Sequence, residues 1–361
     1  MYKFKDSPLL YYGPHFTLQW HLTAKCEQNC KHCYVKEQSS YKNEIINELN
    51  FKDCMILLND FINTIKRWKA IATINFTGGD PLLKDGIFKL IKHASNNALH
   101  VGILGNPNMI TYKTALKLKE NGLIQYQLSI DGSEKTHDEI RSKKGLFKDT
   151  IRAIKILQET GISTVVMFTL SKINAKDLIK TINLVNKLNV SIFDFARLVP
   201  IGNASKMKEQ MLEPDEYHSL LLNVLEEYKK LKEKGCYTYF GRKDHLWNLL
   251  YQELGLFKKP VNENTELIYN GCAIGNNLLT ILADGTVYAC RRLPLKIGKV
   301  PQQKIREIFI ESPLLNKMRD IKKMDKCHKC DLLRFCRGCP AVAYGTYNNF
   351  YASDPQCWKL Q

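Results

Sequence analysis

The stretch "AKCEQNCKHCYV", residues 24–35, sets Cys26, Cys30 and Cys33 at CxxxCxxC spacing directly after the apolar run "FTLQWHLT" (16–23). A β-rich run followed at once by clustered thiols reads as a strand whose C-terminal loop presents three thiolates. Three is the informative number. A closed structural metal site takes four ligands, whereas three cysteines on a four-iron cluster leave one iron open to an outside ligand. On spacing alone, the competing reading is a zinc loop completed by His32 or His21.

Outward from this loop, "ATINF", "HVGIL", "IQYQLSI", "STVVMFTL" and "SIFDFA" read as five further strands, separated by helical patterns. The first helix opens after Asn50 and carries Cys54, Leu58, Phe61, Ile65 and Trp68 on one face, a stripe for packing on a sheet. Strict alternation of strand and helix predicts parallel βαβ units, and six of them favour a partial (β/α)6 TIM-type barrel over a flat doubly wound sheet. Active-site groups then belong at strand C-terminal ends. Residues 213–256 read as two connecting helices, and "LLTILADGTVYAC" as a hairpin turning at Asp284 and Gly285. The expected division is an N-terminal extension (1–15), the barrel (16–205), a helical connector (206–269) and a cysteine-rich domain (270–361).

Composition narrows the classes. The chain has 361 residues, 44% hydrophobic and 25% charged, enough for a large core. It contains neither a signal-peptide pattern nor a membrane-length apolar run, so the expected location is the cytoplasm, with no membrane partner. The formal charge of +17 overstates the working charge, because metal-bound thiolates are negative; no nucleic-acid motif accompanies it. Ten of twelve cysteines fall into two terminal groups, which fits metal or cluster binding better than a disulfide scaffold.

With His32 before its last cysteine, the CxxxCxxC loop resembles the signature of the radical SAM enzymes. The resemblance implies that Cys26, Cys30 and Cys33 hold a 4Fe-4S cluster, that S-adenosyl-L-methionine chelates its open iron, and that one electron then yields a 5'-deoxyadenosyl radical under anaerobic conditions. "FTGGDPLL" at the end of the second strand looks like the family's GGEP motif with aspartate for glutamate, making Gly78, Gly79, Asp80 and Pro81 cofactor-binding candidates; alone, such a tetrad is an ordinary turn. There the glycines would let the backbone approach a ligand. "LSIDGSEKTHDEIR" is similar to a pattern of the peptide-modifying branch, by which Ser129 and Arg141 would contact the cofactor's carboxylate and Asp131 the ribose or substrate. A turn cap is the plainer role for Ser129 and Asp131. In "ARLVPIGNAS" the backbone of Leu198 would read the adenine.

The tail, "CAIGNNLLTILADGTVYAC" then "CHKCDLLRFCRGC" and Cys357, resembles the SPASM domain, which binds auxiliary iron–sulfur clusters. Carried over, Cys272, Cys290 and Cys339 would hold auxiliary cluster I with a fourth site unassigned, and Cys327, Cys330, Cys336 and Cys357 auxiliary cluster II. Three clusters result. One departure stands out: "CRGC" leaves two residues before Cys339 where the family usually has three. The alternative is a pair of zinc ribbons. Cys54 reads as a core residue; Cys236 reads as an inert thiol, a hydrogen-atom donor or a fourth cluster ligand.

By resemblance, the expected function is oxidoreductase maturation of a ribosomally synthesised precursor peptide, a thioether or carbon–carbon crosslink following hydrogen abstraction. Expected partners are that peptide, a reductant such as ferredoxin or flavodoxin, and a separate leader-recognition protein. The runner-up is a SPASM enzyme acting on a small molecule such as a haem precursor. A sulfatase maturase fits less well, since Arg291 stands where those enzymes place an aspartate base. A non-enzymatic zinc protein is the reading from another class. Catalytic candidates are Asp131, Cys236 and Arg291.

Overall fold

A computed structural model describes residues 15–36, 40–264 and 267–359; the expected extension 1–15 lies almost wholly outside them. Six strands, β1 (His15–Thr23), β2 (Ile71–Gly78), β3 (His100–Leu104), β4 (Gln125–Ser129), β5 (Ser163–Leu170) and β6 (Ile192–Arg197), run parallel in chain order. Between them come helices α1 (Tyr41–Ile46), α2 (Phe51–Trp68), α3 (Ile87–Asn96), α4 (Tyr112–Glu120), α5 (Glu134–Arg141), α6 (Leu146–Glu159) and α7 (Leu178–Lys187). This is the α/β partial barrel that the alternation predicts. Helix α2 begins where expected, the Asn50 side chain accepting from the Asp53 N–H, and its Cys54, Leu58, Phe61 and Ile65 are buried.

The connector holds α8 (Pro214–Glu233), the two-residue strand β7 (Tyr239–Phe240) beside the start of β6, and α9 (Trp247–Glu253). The tail follows with β8 (Leu278–Ile281), β9 (Thr286–Cys290) and β10 (Leu293–Lys299), then α10 (Ile305–Glu311), α11 (Pro313–Arg319) and α12 (Pro340–Tyr347). Sequence reading missed one feature of the join. Strand β8 lies parallel on β1, so the tail's antiparallel strands extend the barrel's own sheet to ten strands. No helix among the described residues is long and apolar enough to cross a membrane.

Period-two alternation sorts the side chains of β1. Leu18, Trp20 and Leu22 join the core under the helices, whereas Gln19 and His21 occupy the opposite face. On that face Thr280, Gln19, Asn75, Gly102, Gln125 and Ser163 stand in register across β8, β1, β2, β3, β4 and β5. Barrel interiors are usually filled by branched apolar residues, but this layer is made of amides and hydroxyls. Gly102 leaves the space that Asn75 fills, since a Cβ there would lie 2.5 Å from Asn75 Oδ1. The buried Gln19 Oε1, Asn75 Oδ1 and Thr280 Oγ1 have no protein partner. A polar layer therefore lies inside the barrel below the strand ends.

Candidate functional site

Strand β1 runs straight into the cysteine loop, and β2 holds that loop from beside it. Gly79 N–H donates to Thr23 O (2.8 Å) and Asp80 N–H to Lys25 O (2.8 Å). A Cβ at Gly78 or Gly79 would lie 2.1 Å from Thr23 O or Lys25 O respectively. The close approach these glycines permit is thus to the chain's own loop, which the ligand-approach reading did not foresee. Asp80 caps the turn begun by Pro81, accepting from Leu82 N–H (3.2 Å), and burial raises its carboxyl to about 6.

The three sulfurs of the loop come together. Burial pushes the Cys30 thiol up to about 11, Arg141 opposes this, and Cys33 and Cys26 add to it. Two residues absent from the sequence-based site assist: Asn106, just past β3, donates Nδ2 to Cys26 Sγ (3.3 Å), and Asn203 donates Nδ2 to Cys30 O (3.0 Å) and its N–H to Cys33 O (2.9 Å). Their only sequence signal was their place in loops following strands.

Arg141 and Asp131 depart from expectation. Arg141 Nε and Nη2 both reach Asp131 Oδ2, at 2.7 and 2.6 Å, so the guanidinium fork grips the protein's own carboxylate rather than standing free for a cofactor. Asp131 is 0% exposed and also accepts from the Thr169 N–H (2.7 Å), so it faces neither ribose nor substrate. Burial alone would raise its pKa, but Arg141, His32 and His137 hold it below the usual carboxylate value. The pair locks the loop after β4 to the cluster loop, with Arg141 Nη1 3.8 Å from Cys30 Sγ. Ser129 ends β4 opposite Met167. Leu198 is buried and gives its N–H to Leu170 O (2.8 Å), leaving its carbonyl for any adenine contact.

In the tail, Cys327, Cys330, Cys336 and Cys357 line one pocket. Cys272 is pushed up to about 12 by burial and by Cys339 and Cys290, so these three share a second place. Among the described residues, no three Cys, His, Asp or Glu side chains converge tightly enough for one metal ion. Sulfurs spaced around a pocket suit a multi-iron cluster better than zinc. The short "CRGC" turn is made by two successive left-handed residues, Arg337 (φ 65°) and Gly338 (φ 59°). Arg337 holds that conformation through hydrogen bonds to the carbonyls of Cys272, Asn270 and Leu333.

Arg197, at the end of β6 and 2% exposed, joins barrel to tail. Its Nε donates to Asp244 Oδ2 (2.8 Å), its two Nη atoms to the Asp354 carboxylate (2.8 and 2.8 Å) and Nη1 also to Gln356 Oε1 (3.0 Å). Asp354 in turn accepts the Cys339 N–H (2.8 Å), and its carbonyl accepts the Cys357 N–H (3.1 Å). One buried ion pair thereby positions a ligand of each proposed auxiliary cluster.

Cys236 does not join either group. It precedes β7, beside the start of β6, and donates to Thr238 O, at the end of the barrel away from the cysteine loop. Arg291 instead lies at the mouth, its guanidinium 5.3 Å from the ring centroid of Tyr34, whose ring is 6.0 Å from that of His21. His32 Nε2 sits 3.8 Å from Asp131, and both His21 nitrogens are buried without a protein partner.

The Radical SAM superfamily pattern matches residues 20–185, and that of the SPASM iron-sulfur cluster-binding domain residues 272–340. The chain is 26% identical over 345 residues to an AdoMet-dependent heme synthase of Methanosarcina barkeri, covering 94% of this chain and 95% of that protein. It is 25% identical over 318 residues to the sporulation killing factor maturation protein SkfB of Bacillus subtilis, covering 88% and 69%. Streptococcus suis SuiB, solved bound to its precursor peptide SuiA, shares the fold with a TM-score of 0.73 at 17% identity, covering 95% of this chain and 75% of that one.

Proposed function

From the premise that the chain belongs to the radical SAM enzymes with a SPASM domain, we propose that it modifies a carboxylate-bearing tetrapyrrole, a haem precursor, by hydrogen-atom abstraction. The observation that carries this reading is the end-to-end similarity to a heme synthase, which runs through both domains and spans 95% of that protein. Peptide maturation, the function favoured by the motifs alone, is the second reading. It is supported by the similarity to SkfB and by the three-cysteine set Cys272, Cys290 and Cys339, which would leave an iron free for a substrate thiolate.

Cys26, Cys30 and Cys33 would hold the cluster at which S-adenosylmethionine supplies a 5'-deoxyadenosyl radical. The other residues orient and shield that place. The Asp131–Arg141 pair fixes the loop geometry, Asn106 donates to a ligand sulfur, and the buried Asp80 carboxyl stands ready to ionise beside a cationic amino group. The tail's two cysteine groups fit two further clusters, which gives roughly twelve iron atoms per chain. A reductant such as ferredoxin or flavodoxin is the expected partner.

The test is anaerobic incubation of reconstituted protein with dithionite, S-adenosylmethionine and an iron porphyrin carrying propionates, followed by mass spectrometry. A mass-shifted porphyrin formed alongside 5'-deoxyadenosine supports the proposal. An untouched porphyrin, beside a neighbouring-gene peptide that loses two hydrogens, overturns it in favour of the second reading.

A further inference from the structure

The short CRGC turn joins the two cysteine groups of the tail, since Cys336 belongs to one and Cys339 to the other, and it carries a cation between them. Arg337 is 5% exposed. It lines the pocket of Cys327, Cys330, Cys336 and Cys357, and it also lines a second cavity that Cys272 borders. Its guanidinium reaches back to the segment before β8, donating Nη1 to Asn270 O (3.1 Å) and Nη2 to Cys272 O, with a further Nη1 contact to Leu333 O (3.4 Å). The same segment is fastened beside the turn by the N–H groups of Tyr269 (3.0 Å) and Asn270 (3.2 Å), both given to Arg334 O.

These carbonyls accept the guanidinium's protons without cancelling its charge. Among the described residues no carboxylate forms an ion pair with Arg337, whereas the buried Arg141 and Arg197 are each matched to aspartates. Burial works against its charge, and Cys272, then Cys336 and Cys327, support it; a guanidinium keeps its proton in either case. The backbone does not call for this residue. At φ 65° a glycine would sit without strain, as Gly338 does at 59°, so the side chain and not the turn accounts for an arginine here.

We propose that Arg337 is a shared counter-charge for both auxiliary clusters, raising the reduction potential of each. An added electron adds a negative charge, and a fixed cation in a site closed to water stabilises the reduced state of a cluster beside it. Because one residue borders both cysteine groups, its effect falls on the pair. Arg337 thus acts through the clusters and touches no substrate. The inference rests on the reading of the tail as two clusters and is the same for a tetrapyrrole or a peptide.

The experiment uses full-length, anaerobically reconstituted protein in which Cys26, Cys30 and Cys33 are changed to alanine, so that electron paramagnetic resonance during a redox titration reports the tail alone. Arg337→Gln, which keeps a donor but no charge, should disfavour reduction of both clusters about tenfold, a fall of about 59 mV for one electron, with roughly eight irons retained. Arg337→Lys, which keeps the charge with a different set of donors, should stay within about threefold of the arginine protein. If Arg337→Gln loses iron, Asn270→Asp carries the test: an exposed carboxylate is placed where the backbone already meets the guanidinium, and both potentials should fall by about threefold in equilibrium constant. Potentials unmoved by Arg337→Gln or, where that variant loses iron, by Asn270→Asp overturn the counter-charge and leave the two-cluster reading standing. A fall in one cluster only, or equal falls in the Gln and Lys variants, also overturns it. A tail that binds no iron before Arg337 is changed overturns the cluster reading and the inference with it.

Discussion

Replacing Arg197 with methionine tests the bridge between barrel and tail. The substitution keeps most of the side-chain length but leaves Asp244 and Asp354 buried with no counter-charge, and removing one partner of a buried ion pair costs about 3–5 kcal/mol. Unfolding entropy near 2.1 cal/mol/K per residue gives roughly 0.8 kcal/mol/K for a chain of 361 residues, so the expected fall in Tm is about 4–7 °C. Iron should fall as well, because Asp354 positions Cys339 and Cys357. Calorimetry and iron analysis under anaerobic conditions read both effects. Adding Asp244→Asn and Asp354→Asn should recover part of the stability, since no buried charge then lacks a partner. A single variant whose Tm and iron content match the wild type would refute the reasoning.

Asn106→Ala should lower the reduction potential of the Cys26 cluster by about 20–60 mV, because a lost hydrogen bond of roughly 0.5–1.5 kcal/mol to a ligand sulfur favours the oxidised form; redox titration followed by electron paramagnetic resonance reads it. Glu44, raised to about 7 by burial and with a covered, unpartnered Oε2, contributes stability below its unfolded pKa near 4.5 that is lost as pH rises through 7. Glu44→Gln should therefore stabilise the protein at pH 8 by about 1–3 kcal/mol and change little at pH 4, as seen in paired denaturant titrations. Cys236→Ala should leave iron content within error of the wild type, because its thiol sits beside Thr238 and away from both tail groups; loss of about four irons would make it a ligand after all.

The residues most legible in the sequence were those whose chemistry depends on spacing along the chain. CxxxCxxC, the GGDP turn, the helix cap at Asn50 and the Asp284–Gly285 hairpin are local, and the structure has each where the sequence put it. Pairings between distant segments were not legible. Arg141 and Asp131 were both picked out, yet that they would satisfy each other depended on how α5 turns back over β4. Arg197, Asp244 and Asp354 lie in three separate segments, and no local pattern announces their union. The substrate was not legible either, because the motifs report cofactor chemistry and the chain is similar both to a heme synthase and to a peptide maturation protein.

The parallel pairing of β8 on β1 also bears on synthesis. Thr17 meets Leu278, so the first strand of the barrel waits for a neighbour about 260 residues downstream. At roughly 5–20 residues per second, β1 leaves the ribosome some 13–50 s before β8 exists. For that interval it has β2 on one side and an open row of backbone groups on the other, flanked by Phe16, Leu18 and Trp20. Such an edge is a template for pairing with another chain, so slowing translation of the middle third should raise aggregation of the nascent protein even though the finished fold is unchanged.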